Sequence, residues 1–168
     1  MIEIYTPEII MNVEEFLLNN FNLKIQDLLK EKESSEYCAF RFTINNRGVI
    51  FRKAKITPTK TGQFVTIWKR SEDGLTQPFE LSDHFEFLII YVESEKRSGI
   101  FIFPKKVLQN QGILLNDISA GKRGIRVYPS WTITNNRQAE KTQKWQLKYF
   151  VETTVGNNVK ENSKDLFD

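Results

Sequence analysis

The sequence is poor in the residues that build disulfides and Cys/His metal sites. Among 168 residues there is one cysteine, Cys38, and one histidine, His84. A single cysteine excludes an internal disulfide and fits a reducing compartment, so we expect a cytoplasmic protein. These two residues are too few for a Cys/His zinc site. We therefore expect no bound metal, no cofactor, and a buried, inert Cys38.

Long apolar runs are also absent. The longest, residues 87–92, is far shorter than the ~20 residues that a membrane-spanning helix needs. We expect no membrane partner, and the N-terminal residues do not resemble a signal peptide. The length and the 40% hydrophobic content predict one domain over residues 1–152. Residues 153–168 are polar, and we expect a frayed tail there.

Acidic residues are missing from one stretch of the chain, residues 37–70. This stretch contains eight bases: Arg41, Arg47, Arg52, Lys53, Lys55, Lys60, Lys69 and Arg70. Its alternating pattern predicts strands, and a three-stranded meander would present bases and rings on one face. Those side chains would be Tyr37, Arg41, Lys53, Lys55, Trp68 and Arg70. Lysine and arginine side chains neutralise phosphates, and aromatic rings stack on unpaired nucleobases. The pattern therefore favours single-stranded DNA or RNA over duplex. A solvated, charged sheet edge is the alternative.

Two further basic segments follow. Between Gly121 and Trp131, glycines flank bases in a pattern that lets backbone N–H groups approach an anion, although it is not a P-loop. The predicted helix over residues 135–150 carries a basic stripe. The candidate contacts in these segments are Lys122, Arg123, Arg126, Tyr128, Trp131, Lys141 and Lys144. An exposed basic turn and a solvated helix face are the alternatives.

Arg52 is a separate case within the basic stretch. Its strand neighbours Ile50 and Ala54 are apolar, so we expect Arg52 to be partly buried. A buried arginine requires an anionic partner, for which Asp83, Glu93 and Glu95 are the candidates. A structural salt bridge is favoured over a nucleic-acid contact at this residue.

The remaining patterns predict the fold class. We expect α/β or α+β architecture: a central mixed sheet of about five strands with helices on both faces. Strands 85–92 and 100–103 are apolar on both faces, as in buried strands. Further strands are predicted at 37–44, at 50–56 after a turn at 45–48, at 63–70 and at 125–128. Helices are predicted after Pro7, at 23–30, at 104–111 and at 135–150.

Several separated blocks resemble the MepB family of small bacterial proteins. They are residues 51–58, 62–65 and 68–70, then 121–123, 126–129 and Trp131, and finally 138–139, 141–143 and 145–146. The resemblance covers about residues 35–150. It implies a fold similar to the PD-(D/E)xK nucleases and a setting beside a multidrug-efflux pump and its regulator.

The nuclease motif itself is incomplete in this sequence. Lys69 stands where the motif has a lysine, but the preceding acid is replaced by Ile67. A second placement of the motif uses Asp83 with Glu93 or Glu95 as the acids, but the motif's lysine is missing there. The sequence therefore predicts a sequence-nonspecific nucleic-acid-binding protein without catalysis. The alternatives are a Mg²⁺-dependent nuclease using Asp83 with Glu93 or Glu95, and a drug- or protein-binding accessory of efflux.

Overall fold

The computed structural model describes residues 6–154, 156, 159–160 and 163–168. Its helices are α1 (Glu8–Phe21), α2 (Lys105–Asn110) and α3 (Arg137–Gln146). Its strands are β1 (Gln26–Lys30), β2 (Phe40–Ile44), β3 (Arg47–Lys53), β4 (Lys55–Ile56), β5 (Gln63–Thr66), β6 (Trp68–Arg70), β7 (Thr76–Pro78), β8 (Phe87–Glu93), β9 (Ser98–Pro104), β10 (Gly124–Val127) and β11 (Phe150–Glu152). Two short 3₁₀ turns, Ser35–Tyr37 and Leu147–Tyr149, complete the elements.

A six-stranded mixed sheet forms the centre, with the strand order β1-β2-β3-β8-β9-β11. Strands β3 and β8 run parallel, and the other neighbours are antiparallel. The turn between β2 and β3 has Asn45 and Asn46 at φ 47° and 61°. Asparagine tolerates this left-handed conformation, which two-residue hairpin turns require. The predicted mixed sheet and the predicted hairpin are both confirmed.

The central strands separate two hydrophobic cores. On one face, Ile10, Val13 and Leu17 of α1 pack against alternate residues of β2, β3, β8 and β9. On the other face, α2 and α3 share the cover with a three-stranded sheet, β10-β5-β4. A two-stranded sheet, β6-β7, lies beside them. The expected burial of β8 and β9 on both faces is confirmed, but much of the second face is covered by strands.

The basic stretch of residues 37–70 does not form a meander. Its strands belong to three different sheets: β2 and β3 to the large sheet, β4 and β5 to the three-stranded sheet, and β6 to the two-stranded sheet. The predicted strand at 63–70 is broken at Ile67, which is buried in the second core and donates its N–H to the carbonyl of Arg123. The predicted common face therefore does not exist.

Two other elements differ from the prediction. Residues 23–30 contain the strand β1 instead of a helix: α1 ends at Phe21, Asn22 caps it with φ 55°, and β1 then pairs with β2 at the sheet edge. The last predicted helix ends at Gln146, and β11 pairs with β9. There the ring of Phe150 lies against Gly99, where any side chain would collide with it. Cys38 is half-buried rather than fully buried, and that burial raises the pKa of its thiol.

The end of the chain contributes to the first core. Phe167 is buried and packs edge-on against Phe21 and Phe87, with ring centroids 5.1 and 5.3 Å apart. Arg47 donates a hydrogen bond to the carbonyl of Phe167. The expected frayed tail is therefore wrong for this segment, while residues 155, 157–158 and 161–162 lie outside the described residues. Residues 1–5 of the predicted domain lie outside them as well. No helix in the described chain is long and apolar enough to cross a membrane.

We predict that Phe167→Ala lowers the free energy of unfolding by about 3 kcal/mol, because truncating a buried phenylalanine leaves a cavity. Urea denaturation followed by circular dichroism measures the change. The control is Ile133→Ala, since Ile133 is 89% exposed, and a change within ~0.5 kcal/mol is expected. Equal midpoints for the two variants would show that Phe167 is not part of the core.

Candidate nucleic-acid interface

An open groove of about 520 Å³ lies between α3 and the three-stranded sheet. Three bases line it: Lys60, Lys122 and Arg126. It also contains aromatic rings and uncharged polar groups, among them Phe64, Tyr128, Trp145, Gln111, Gln138 and Thr142. No aspartate or glutamate belongs to this lining, as far as the chain is described. The groove therefore combines positive charge with flat apolar surface.

Strand alternation in β10 directs two of these side chains into the groove. Ile125 and Val127 are buried in the second core and fix the strand against the large sheet. Arg126, and Tyr128 just beyond the strand, then point to the opposite face. The sequence prediction that these two residues share a face is confirmed.

Arg126 is held in place by neutral acceptors. Its guanidinium donates to the hydroxyl of Thr57 at 2.8 Å and to the carbonyls of Thr61 and Gly62 at 3.3 and 3.4 Å. It also lies 5.8 Å from the centre of the Phe64 ring. None of these partners carries a negative charge, so the position of Arg126 is fixed while its charge remains uncompensated.

Lys60 and Lys122 are the other two bases of the groove. Both side chains are exposed, and neither has a carboxylate within ion-pair distance in the part of the chain that the structure describes. The backbone N–H of Lys122 is bonded to the carbonyl of Ile113, which anchors the loop that carries it. These two ammonium groups are therefore available to an anion.

Glycines make room for two of the rings. Gly62 has φ 80°, and a Cβ atom there would lie 2.6 Å from Tyr128 Cε1. A Cβ atom on Gly124 would lie 2.6 Å from Phe64 Cζ. Both rings therefore rest directly on backbone. Trp145 is supported from below by Phe103, with the ring centroids 5.3 Å apart.

Two glutamines of α3 fix the far side of the groove, and the sequence interpretation did not assign either of them a role. Gln146 is 1% exposed; it accepts from the N–H of Tyr128 and donates to the carbonyl of Arg126, both at 2.9 Å. Gln143 donates to the carbonyls of Pro129 and Thr132. Two sequence signals existed: helical spacing, which places Gln146 seven residues after the buried Ala139 on the inner face, and the family blocks 141–143 and 145–146, which contain the two glutamines.

Several predicted contacts are instead neutralised by acids. Six bases of residues 37–70 form ion pairs, and those of Arg52 and Lys69 are described below. The other four pairs are Arg41 with Glu31 at 2.7 Å, Lys53 with Glu93 at 2.7 Å, Lys55 with Glu36 at 3.6 Å, and Arg70 with Glu33 at 2.5 Å. The guanidinium of Arg70 also lies over Trp68, 5.3 Å from the ring centre. The prediction of an uncompensated basic face in this stretch is wrong.

The remaining predicted contacts lie outside the groove. Trp131 packs against Phe150, and the guanidinium of Arg97 lies 5.0 Å from the centre of its ring. Arg123 is exposed and donates to the carbonyl of Thr76. Lys141 and Lys144 are exposed on α3 and do not line the groove. Of the predicted residues, the structure therefore brings together Lys60, Lys122, Arg126 and Tyr128.

Arg52 is fully buried and belongs to the core rather than to the interface. Its partner is Glu31, 2.8 Å away, and not Asp83, Glu93 or Glu95. Burial lowers the pKa of the Arg52 guanidinium, and the charge of Glu31 opposes that effect. The same carboxylate binds Arg41, so one acid serves two arginines. The expected structural salt bridge is confirmed, with a different partner.

The comparisons with known proteins agree with the sequence blocks described above. The MepB-like family matches residues 31–152. The chain belongs to the MepB-like family. A crystal structure of MepB is 34% identical, covers 91% of this chain and 100% of its own, and superposes with a TM-score of 0.77. No match is found among curated proteins.

A second solved structure is that of a bacterial homing endonuclease, I-Ssp6803I. It is 13% identical, covers 82% of this chain and 85% of its own, and gives a TM-score of 0.45. At that level the similarity carries no argument about this MepB-like chain.

The carboxylates proposed for a nuclease site do not meet in this MepB-like chain. Asp83 precedes β8, whereas Glu93 ends it and Glu95 follows it. The seven residues of β8 span roughly 20 Å, which is too far for two ligands of one ion. The predicted pairing of Asp83 with Glu93 or Glu95 is therefore wrong. No group of three or more potential metal ligands occurs among the described residues.

Lys69 and Asp83 nevertheless lie together. Lys69 Nζ is 2.6 Å from Asp83 Oδ1 and 3.3 Å from Glu80 Oε1. Burial opposes the charge of Lys69, but the hydrogen bonds and charges of the two acids outweigh it and raise the pKa of the lysine. The other oxygen of Asp83 accepts the N–H of Glu80 at 2.8 Å. Both oxygens of Asp83 thus already have partners within the protein.

We predict that Glu31→Ala lowers the free energy of unfolding by ~3 kcal/mol, because it leaves the guanidinium of Arg52 buried and unpaired. The matched control is Glu33→Ala, which breaks an ion pair to the exposed Arg70 and costs at most about 1 kcal/mol. Chemical denaturation of both variants measures the difference. Similar losses in the two variants would contradict the structural role assigned to Glu31.

Proposed function

We propose that this protein binds nucleic acid without sequence specificity, through the groove between α3 and the three-stranded sheet. The observation that carries the proposal is the set of three bases, Lys60, Lys122 and Arg126, in a lining without carboxylates. An uncompensated cluster of cations attracts polyanions and releases their counterions on binding.

The rings of the groove favour unpaired bases over a duplex. Tyr128 and Trp145 lie in a concave site beside the cations. A nucleobase can reach these rings only if it is not stacked in a duplex. Aromatic side chains stack on any base, which gives affinity without sequence preference. Single-stranded DNA or RNA is therefore the proposed partner.

The proposal assigns no hydrolysis to the protein. A metal-dependent nuclease holds its ion with at least two carboxylates and uses it to activate water. Both oxygens of Asp83 are engaged by Lys69 and by the N–H of Glu80, and Glu93 lies at the far end of β8. A cytoplasmic location and the multidrug-efflux setting implied by the family resemblance are also part of the proposal.

We predict that the double variant Lys60→Ala/Lys122→Ala weakens binding of a labelled single-stranded oligonucleotide at least ~10-fold near 50 mM salt. The slope of log affinity against log salt should become less steep by roughly 1.4, because about 0.7 is lost with each phosphate contact to a single strand. Fluorescence anisotropy from about 50 to about 200 mM salt measures both quantities.

The control for this experiment is Lys24→Ala. Lys24 is exposed and lies between Leu23 and Ile25, which belong to the first core on the opposite face of the large sheet. The substitution Lys24→Ala removes an exposed positive charge that is distant from the groove. Equal weakening by the control and the double variant would show nonspecific attraction by net charge, and the proposal would fail.

A further inference from the structure

We propose that the groove recognises a unit of one or two nucleotides, so that free nucleotides and short 5′-phosphorylated oligonucleotides are ligands in their own right. The inference rests on the proposed function and names the ligand class of the same site. The alternative is an extended cationic surface, on which affinity would increase with every added phosphate.

On the β4 side of the groove, the neighbouring bases are paired with acids. Lys55, which is opposite Phe64 in the register of β4 and β5, is paired with Glu36. Lys53, which ends β3 of the large sheet shortly before β4, is paired with Glu93. Such pairs cancel most of the field that a distant phosphate would feel. A nucleic-acid strand leaving the groove past β4 would therefore gain little from further phosphates.

The size and shape of the groove suit a small ligand. A volume of about 520 Å³ falls within the range of pockets that enclose small ligands, which is roughly 300–1,000 Å³. Its walls come from three parts of the chain, which carry Lys60, Lys122 and Trp145. The groove is thus a local concavity rather than a channel along the molecule.

Positive charge and an aromatic ring are spaced in the groove like the phosphate and the base of one nucleotide. Arg126 and Tyr128 lie two residues apart on one face of the chain, or about 7 Å along an extended backbone. This separation matches the reach from the 5′-phosphate of a nucleotide to its base. A phosphate at Arg126 therefore leaves the base beside Tyr128, with Trp145 on the wall formed by α3.

The groove also carries side-chain amide groups without hydrogen-bond partners among the described residues. Gln111 and Gln138 line the groove, and neither side chain has a hydrogen-bond partner among the described residues. A carboxamide can donate and accept at the same time, as base edges and ribose hydroxyls require. A ligand consisting of phosphate alone has no base edge or ribose hydroxyl for these amide groups to bind.

Calorimetric titration of the full chain tests the inference with defined probes. These are a 5′-phosphorylated dinucleotide, an oligonucleotide of about 20 nucleotides, adenosine and inorganic phosphate. We expect the dinucleotide to bind within about fivefold of the oligonucleotide per site, and adenosine and phosphate to bind at least about tenfold more weakly. With two or three phosphate contacts, the salt slope of the oligonucleotide should be about −2.

The outcomes separate this inference from the proposed function. If the oligonucleotide binds with a slope of about −5 or steeper while the dinucleotide does not bind, the short-unit inference is overturned and nucleic-acid binding stands. If neither binds, both fail. If inorganic phosphate binds as tightly as the dinucleotide, the rings play no part and the inference is again overturned.

Single substitutions test which groove residues bind the phosphate and which bind the nucleobase. Tyr128→Leu should weaken dinucleotide binding about tenfold and leave phosphate binding unchanged. Lys122→Glu, at an exposed residue, should weaken both. Lys24→Ala should change neither. If Lys122→Glu has the thermal stability of the parent chain and still binds the dinucleotide normally, the groove is not the site.

Discussion

The ion pair between Arg52 and Glu31 is the contact on which the arrangement of charge depends. A guanidinium with no exposure is costly without an anionic partner, so the segment that follows β1 must hold Glu31 beside Arg52 of β3. The same carboxylate then reaches Arg41. Two neighbouring acids, Glu33 and Glu36, pair with Arg70 and Lys55. The acidic N-terminal part of the chain thus neutralises much of the basic stretch that follows it.

Positive charge persists where no acidic segment reaches. The groove is built from the loop before β5, the loop before β10 and α3, and no carboxylate belongs to its lining in the described chain. The bond network of Arg126 with neutral oxygens fixes a cation there without cancelling it. Uncompensated charge, aromatic rings and a concave shape coincide in this one place, and their coincidence is the basis of both proposals.

Much of the fold follows from local patterns. The apolar runs that became β8 and β9, and the Asn45–Asn46 turn before β3, were all predictable, because burial on both faces and left-handed turns leave local signatures. Strands β1 and β11 were missed, since each exists only by pairing with a distant strand. The break at Ile67 was missed for the same reason, as it depends on the second core.

The sequence by itself determined the family, the mixed sheet, the lack of acids in residues 37–70 and the common face of Arg126 and Tyr128. Only the tertiary structure decided which bases remain uncompensated: Lys53 and Lys55 are paired, whereas Lys60 and Lys122 are free of carboxylates among the described residues. Alternation and propensity act between neighbours in sequence, so a sequence reports them directly. Ion pairing acts through space at a few ångströms, and its partners can be forty residues apart, as Lys53 and Glu93 are.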